Sequence, residues 1–330
     1  MIYLFVSFLS LFIGALAAFL LSKFGFRLGL ADVPGERSSH NRTVPKGGGI
    51  GVPIAVALTS FCIVHQGYFL VGLALILSAV AFINDRKEVS AGLRLFLEFL
   101  LGLAVVVVLK KNMLLTLQSQ YGFTILLAAL AFSTLYIVAA TNFFNFMDGI
   151  NGIAAVEALI SFIFMAVTAG YLKKSQEMAT LAFSAGAAVA GFLLFNFPKA
   201  KVFMGDVGSI FIGFLFAGMA VDLASNVKEF LLFILFQGVF YVDCLSTILA
   251  RLLNKENILQ AHRKHLYQKL VHHSGWTHTR VALIYGLSQV IIAGLGFVLF
   301  RWGLLVLMLF WGALFLAYWS ILTRLKFIYI

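Results

Sequence analysis

The chain has 330 residues, 62% hydrophobic and 11% charged, with a mean hydropathy of +1.01 and a net charge of +11. A soluble domain carries roughly 25% charged residues, so the composition excludes a water-soluble globular protein. It also gives no sign of a cysteine-held metal module, because Cys62 and Cys244 lie in apolar segments without metal-type spacing and read as small buried side chains.

A transmembrane helix needs about 20 mainly apolar residues. Such runs recur from end to end, and only four prolines interrupt them. The sequence therefore predicts an all-α polytopic membrane protein. One integral-membrane domain spans 1–330, a bundle of about ten or eleven transmembrane helices with cytoplasmic catalytic loops. The first run, 2–22, imitates a secretory signal, with Ala15-Leu16-Ala17 resembling a cleavage site. No basic residue precedes it and Lys23 follows it, which is the pattern of a retained helix. Further spans are predicted at 48–66, 68–84, 93–110, 123–141, 152–171, 178–196, 209–223, 229–250, 281–300 and 304–322.

Orientation follows from the distribution of Lys and Arg. With the N-terminus outside, the inner loops and ends hold 18 basic residues and the outer ones 6. The N-terminus is thus expected in the periplasm and the C-terminus in the cytoplasm of a bacterial inner membrane. The same bias accounts for the net charge, so nucleic acid is not an expected partner. Anionic lipid and phosphorylated substrates are.

The inner loops are long and polar, and each carries candidate chemistry. The first reads Asp32-Val33-Pro34-Gly35-Glu36-Arg37-Ser38-Ser39-His40, then Pro45-Lys46-Gly47-Gly48-Gly49. Three glycines opening a helix beside Lys46 form either a flexible joint or a phosphate cradle of backbone amides. The second places Asn84-Asp85 before Arg86 and Lys87, whose charges are expected to keep Asp85 ionised. The third has Asn142, Asn145, Asp148 and Asn151 at intervals of three, one face if the segment is helical. Asp-Gly and Asn-Gly are also turn signals, yet a turn does not require three amides and a carboxylate in register. The fourth sets Asp206 between Gly205 and the helix-opening Val207-Gly208-Ser209, where it reads as a helix cap or a Mg²⁺ ligand. The fifth carries His262-Arg263-Lys264-His265, then His272, His273 and His278. With no cysteine nearby, a phosphate-gripping cationic site fits this run better than zinc.

Three carboxylates fall inside predicted spans, where a charge costs on the order of 3 kcal/mol. Glu98 is expected to pair with Arg94, Glu157 to snorkel to the inner surface, and Asp243 to face an inner cleft.

Taken in order, these segments resemble the polyprenyl-phosphate N-acetylhexosamine-1-phosphate transferases, a family that includes the phospho-MurNAc-pentapeptide translocases. The resemblance rests on Asp32-Val33-Pro34…Arg37-Ser38…His40, Pro45 to Gly49, Asn84-Asp85, Asn145 to Gly152, Phe203 to Ser209, Asp243 with Arg251, and Ala261 to His265. Two departures matter. The family usually shows two aspartates where this chain has Asn84-Asp85. The translocases carry adjacent histidines where this chain has His262-Arg263-Lys264-His265. The second departure makes the chain similar to the branch that initiates O-antigen synthesis with N-acetylated amino sugars.

The resemblance implies transfer of an N-acetylamino-sugar-1-phosphate from a UDP-sugar to undecaprenyl phosphate, releasing UMP. It implies Asp85, Asp148 and Asp206 as catalytic residues. Asp206 and Asp148 would hold Mg²⁺, or Mn²⁺ in its place. Lys46, Asn145, Asn151, Asp243, His262, Arg263 and His265 would bind the substrates. Partners are then the nucleotide sugar, the lipid phosphate and the bilayer, and a homodimer is permitted. The rival reading is a secondary transporter, which would gather its polar residues near the membrane midplane and show inverted repeats; no repeat is visible in the sequence. For the orientation, a reporter fused after Lys255 is expected to score cytoplasmic and one near Lys173 periplasmic, and the reverse pattern would overturn the assignment of the sites to the cytoplasm.

Overall fold

The computed structural model describes residues 2–35, 39–40, 42–65, 67–87, 89–258, 260 and 262–325. Glu36, Arg37, Ser38, Ala261 and Lys326, which enter the motif and charge readings, lie outside the described residues.

Helix α1, Ile2–Phe24, leads into a loop whose two halves pair as a two-residue ladder, β1 at Ala31–Asp32 and β2 at Val44–Pro45. A tight turn at Gly48–Ile50 opens α2, Gly51–Leu58, which widens into a π turn over Thr59–Val64. There follow α3 (Tyr68–Asn84), α4 (Ala91–Leu109), a short polar α5 (Lys111–Tyr121), α6 (Phe123–Phe146), α7 (Ile153–Tyr171), α8 (Gln176–Asn196) and α9 (Asp206–Leu223). The C-terminal part holds α10 (Val227–Leu235), α11 (Gly238–Leu253), α12 (Leu266–His272), α13 (His278–Leu299) and α14 (Leu304–Arg324). Among the described residues, eight helices are long and apolar enough to cross a membrane, nine if α10 and α11 form one bent span, and two shorter apolar helices cover 48–64 and 68–84. All eleven expected spans therefore fall on helices.

Burial sorts these helices into a pillar and a lipid-facing rim. In α9 89% of the span is buried, against 17% in α6 and 6% in α14. Lipid tails are as apolar as leucine, so the interior is held by close packing and a few polar contacts instead of a hydrophobic driving force. Helices α1 and α8 touch backbone to backbone, because a Cβ at Gly14 or Gly191 would strike the main chain of Ala188 or Leu11. Beside this contact, the Ser184 hydroxyl lies 2.8 Å from both the Ser10 and the Thr59 hydroxyl. Three apolar segments are thereby joined by one buried cluster of hydroxyls.

Three expectations change. The span predicted at 229–250 is broken, with α10 and α11 meeting at 90°. A break strands backbone groups in the membrane unless they are satisfied. Gln289 of α13 does this: its amide donates to Leu235 O at 2.9 Å and its carbonyl accepts from Val239 N at 3.1 Å. The Asn142-to-Asn151 register is not one helical face, since α6 ends at Phe146 and Asp148 N turns back onto Asn145 O. Cys244 is buried as expected, but Cys62 lies exposed on the outer side of the π turn.

Candidate active site

The ends of three helices converge at one end of the bundle. Asp85 lies just past α3, Asp148 just past α6, and Asp206 opens α9. They line one cavity of about 320 Å³ together with Lys46, Asn145 and Asn151. The rim is completed by His40 from the first loop and by Gln268 and His278 from the last.

The centre of the site is the start of α9, whose first amides have no partner within the helix. Asp85 supplies it, accepting from Asp206 N at 3.3 Å and Val207 N at 3.2 Å. The approach is possible because residue 205 is glycine with φ +75°; a Cβ there would stand 2.7 Å from both Asp85 Oδ2 and Gly47 N. Lys46 Nζ lies 3.6 Å from the same carboxylate. The glycine turn beside Lys46 is bound to the same region, with Gly48 N and Gly49 N donating to Phe203 O and Met204 O. These two amides are therefore used in packing and do not form a free cradle.

Burial, reinforced by the neighbouring Asp206 carboxylate, pushes Asp85 up to about 6, and the Val207 amide and Lys46 only partly offset this. Arg86 does not contribute as expected, because its guanidinium turns away to lie over the Phe82 ring. Holding Asp85 ionised therefore costs about 3 kcal/mol. That cost is absent when Asp85 is protonated at low pH and is complete once pH rises past its folded value.

Asp206 projects into a ring of donors. Its Oδ2 accepts from Asn84 Nδ2 at 2.8 Å and Arg94 Nη1 at 2.9 Å, and its Oδ1 from Asn145 Nδ2 at 3.2 Å. Arg94 thus leaves Glu98, which instead takes the Asn142 amide. Asp148 is raised well above the ordinary carboxylate range by burial, then by Asp206 and Asp85. Four carboxylates, those of Asp32, Asp85, Asp148 and Asp206, line one cavity with a single lysine. Arg94 pairs with Asp206 from outside the lining, and the remaining excess of carboxylates is an environment that a divalent cation relieves. Among the described residues no three His, Cys, Asp or Glu side chains converge as a ready-made cage. Mg²⁺ does not need one, since it binds through one or two carboxylates plus substrate phosphates. The donor set fits a hard cation shared with a phosphorylated ligand.

The other expected site residues lie behind the cavity. Asp243 is fully buried and saturated: it faces His265 Nδ1 at 3.2 Å and accepts from Leu266 N, Thr247 Oγ1 and, at 2.7 Å, Tyr285 OH. Its cleft is an internal polar knot. His265 stacks on Tyr267, whose hydroxyl donates to Phe146 O at the end of α6, so the knot supports the Asp148 turn from behind. His262 packs against His265 and is lowered to about 4 by burial and then by the surrounding cations, which makes it neutral at pH 7. Arg263 opens onto a different cavity. Glu157 does not snorkel: it is fully buried, and neither oxygen meets a donor among the described residues.

The sequence reading missed Gln268 altogether and gave Arg94 to Glu98, because Arg94 sits in an apolar run with an apparent partner four residues on. His278, read there with the histidines of the last loop, is brought with Gln268 to the rim by the path of that loop.

Fold and site together define a multi-pass membrane protein with a carboxylate-lined cavity at one end of its helical bundle. The model for glycosyl transferase family 4 matches residues 68–224, a stretch that holds Asp85, Asp148 and Asp206. Over this stretch the chain is similar to this family, in keeping with its motifs. It is 28% identical over 272 residues to the "Probable undecaprenyl-phosphate N-acetylglucosaminyl 1-phosphate transferase" of Bacillus subtilis, covering 76% of this chain and 72% of that protein. It is also 28% identical over 286 residues to the phospho-N-acetylmuramoyl-pentapeptide-transferase of Bartonella quintana, covering 76% and 78%. The corresponding Caldicellulosiruptor bescii enzyme is 26% identical, with 78% and 83% covered.

Replacing Asp85 separates stability from activity. Asp85→Asn keeps an acceptor for α9 and removes the buried charge, so at pH 8 its unfolding temperature in detergent is expected to be no lower than wild type. Sugar-1-phosphate transfer is expected to fall about a hundredfold, with a deficit flat from about pH 7 to 9. A deficit shrinking about tenfold at high pH would make Asp85 a general base instead of a positioning group.

Proposed function

We propose that the protein transfers an N-acetylamino-sugar-1-phosphate from a UDP-sugar to undecaprenyl phosphate at the cytoplasmic face of a bacterial inner membrane, initiating O-antigen or a related cell-envelope polysaccharide. One observation carries the reading: Asp85, Asp148, Asp206 and Lys46 meet in one cavity at the ends of membrane helices, in a chain similar along most of its length to enzymes named for this chemistry.

The lipid phosphate has a second pKa near 6 and is already a nucleophile at pH 7. One of its oxygens attacks the phosphorus that bears the sugar; the bond to the UMP phosphate breaks, and UMP leaves with the electron pair. The remaining problem is to hold anions together and to accept the charge that develops on the leaving phosphate. Asp206 and Asp148 would hold Mg²⁺, which supplies neutralisation of that charge. Lys46 adds a fixed cation at the cavity wall. Asp85 keeps α9 and Lys46 in place, and Asn145 fixes the Asp206 carboxylate. Asn151 is anchored by its own amides to His278 and Pro198 O, which leaves its carbonyl for the nucleotide. His262 and His265 act from behind the cavity, and Arg263, which opens onto the neighbouring one, acts only through the loop that carries them.

A transporter reading is disfavoured, because the site carboxylates lie at helix ends and not at the midplane. The amino-sugar branch is preferred over the pentapeptide branch on the run His262-Arg263-Lys264-His265. A donor panel offered to membranes with undecaprenyl phosphate, read by the mass of the lipid product, tests the proposal. A simple UDP-N-acetylamino sugar, deoxy forms included, is expected to yield the lipid diphosphate sugar and UMP. Equal use of UDP-MurNAc-pentapeptide would remove the branch assignment, and no lipid product from any donor would remove the function.

A further inference from the structure

A second cavity, about 470 Å³, opens on the other side of α12 and shares no lining residue with the first. Gln268 faces the catalytic cavity, whereas its neighbour Lys269 faces this one. The wall between α11 and α14 is apolar at Ala250 and Leu322. The polar side carries four cationic side chains, Arg251, Arg263, Lys264 and Lys269, against the single carboxylate of Glu256.

That carboxylate is already divided. It takes Arg251 Nε at 3.2 Å on one oxygen and Lys264 Nζ on the other. Arg251, itself buried, spends three further donors on the carbonyls of Asn257, Ile258 and Gln260, so it holds the loop and fixes the floor of the cavity. The charge excess is therefore built into a shaped recess. Burial and then Lys264 lower the Lys269 ammonium below its ordinary range, as expected where cations crowd. The flanks are greasy: Leu252, Leu253 and Leu325 are exposed at the ends of the two helices, and α14 presents nearly all of its length outward.

A recess that is cationic inside, apolar at one wall and open beside lipid-facing helices suits an amphiphile with a phosphate headgroup. We propose that this cavity holds the headgroup of an anionic phospholipid of the surrounding bilayer, with its acyl chains along α11 and α14. The acceptor lipid is a poorer match, because its phosphate has to reach Asp206, and α12 stands between. The bound lipid would tie the loop carrying His265 to α14. The inference does not depend on the assigned reaction, since it is read from lipid retention and not from turnover.

The test uses the full chain, purified and reconstituted in nanodiscs of phosphatidylcholine with a minor share of phosphatidylglycerol, then extracted gently and weighed by native mass spectrometry. Wild type is expected to retain phosphatidylglycerol enriched about fivefold over its bulk share. The Lys264→Gln/Lys269→Gln protein is expected to retain lipids in the bulk ratio. Lys269→Gln alone keeps the Glu256 pair intact and is expected to lose part of the enrichment. Retention by wild type at the bulk ratio, or enrichment equal in all three proteins, would overturn the proposal. Displacement of the lipid by millimolar inorganic phosphate would mark a free-anion site, and exclusive retention of added undecaprenyl phosphate an acceptor site; either would overturn it as well.

Discussion

The opening of α9, at one end of the bundle, presents amide groups that the helix cannot satisfy. A single carboxylate from another helix end, Asp85, takes two of them. This contact sets the distance between α3 and α9 and aims Asp206 into the cavity. It also explains why residue 205 is glycine and why Lys46 stands beside Asp85. The arrangement is held at a cost in stability, since a buried carboxylate with a carboxylate neighbour prefers to be protonated. Strained ionisation of this kind is characteristic of functional sites, where charge is kept in place for a ligand that will neutralise it.

Around this centre the bundle solves a membrane problem repeatedly: polar groups away from water must find partners inside the protein. Gln289 repairs the broken span, Ser184 links three segments, and the knot around Asp243 satisfies a carboxylate with four donors. The knot also carries mechanical information toward the site, because Tyr267 joins it to the last carbonyl of α6. Residues of the last loop that read as substrate ligands therefore serve in part as supports.

The sequence was most legible where chemistry and apolar runs coincide. Eleven apolar segments became helices, and Lys46, Asp85, Asn145, Asp148, Asn151 and Asp206 reached one cavity. Local spacing misled where tertiary contacts compete with neighbours in sequence. Arg94 passes over Glu98, four residues on in the same helix, to reach Asp206 at the start of α9. Asn84 reads as a missing carboxylate, yet in the structure it is a donor to Asp206. The 90° break at α10 and α11 had no proline to announce it, since its partner is a glutamine some fifty residues on. His262 looked cationic from its basic neighbours, yet burial, and only then those same neighbours, keeps it neutral.

The central claim is that the Asp206 carboxylate, fixed by Asn84, Arg94 and Asn145 and aimed by Asp85, is the centre of the reaction. It is tested most directly by UMP release from a UDP-N-acetylamino sugar, measured for purified Asp206→Asn in undecaprenyl-phosphate nanodiscs at saturating Mg²⁺. An amide is a poor ligand for a hard cation, so turnover is expected to fall by about a hundredfold or more while the helical content and the unfolding temperature stay near wild type. Turnover within about threefold of wild type would contradict the account, because no effect of that size fits the loss of a metal-holding carboxylate.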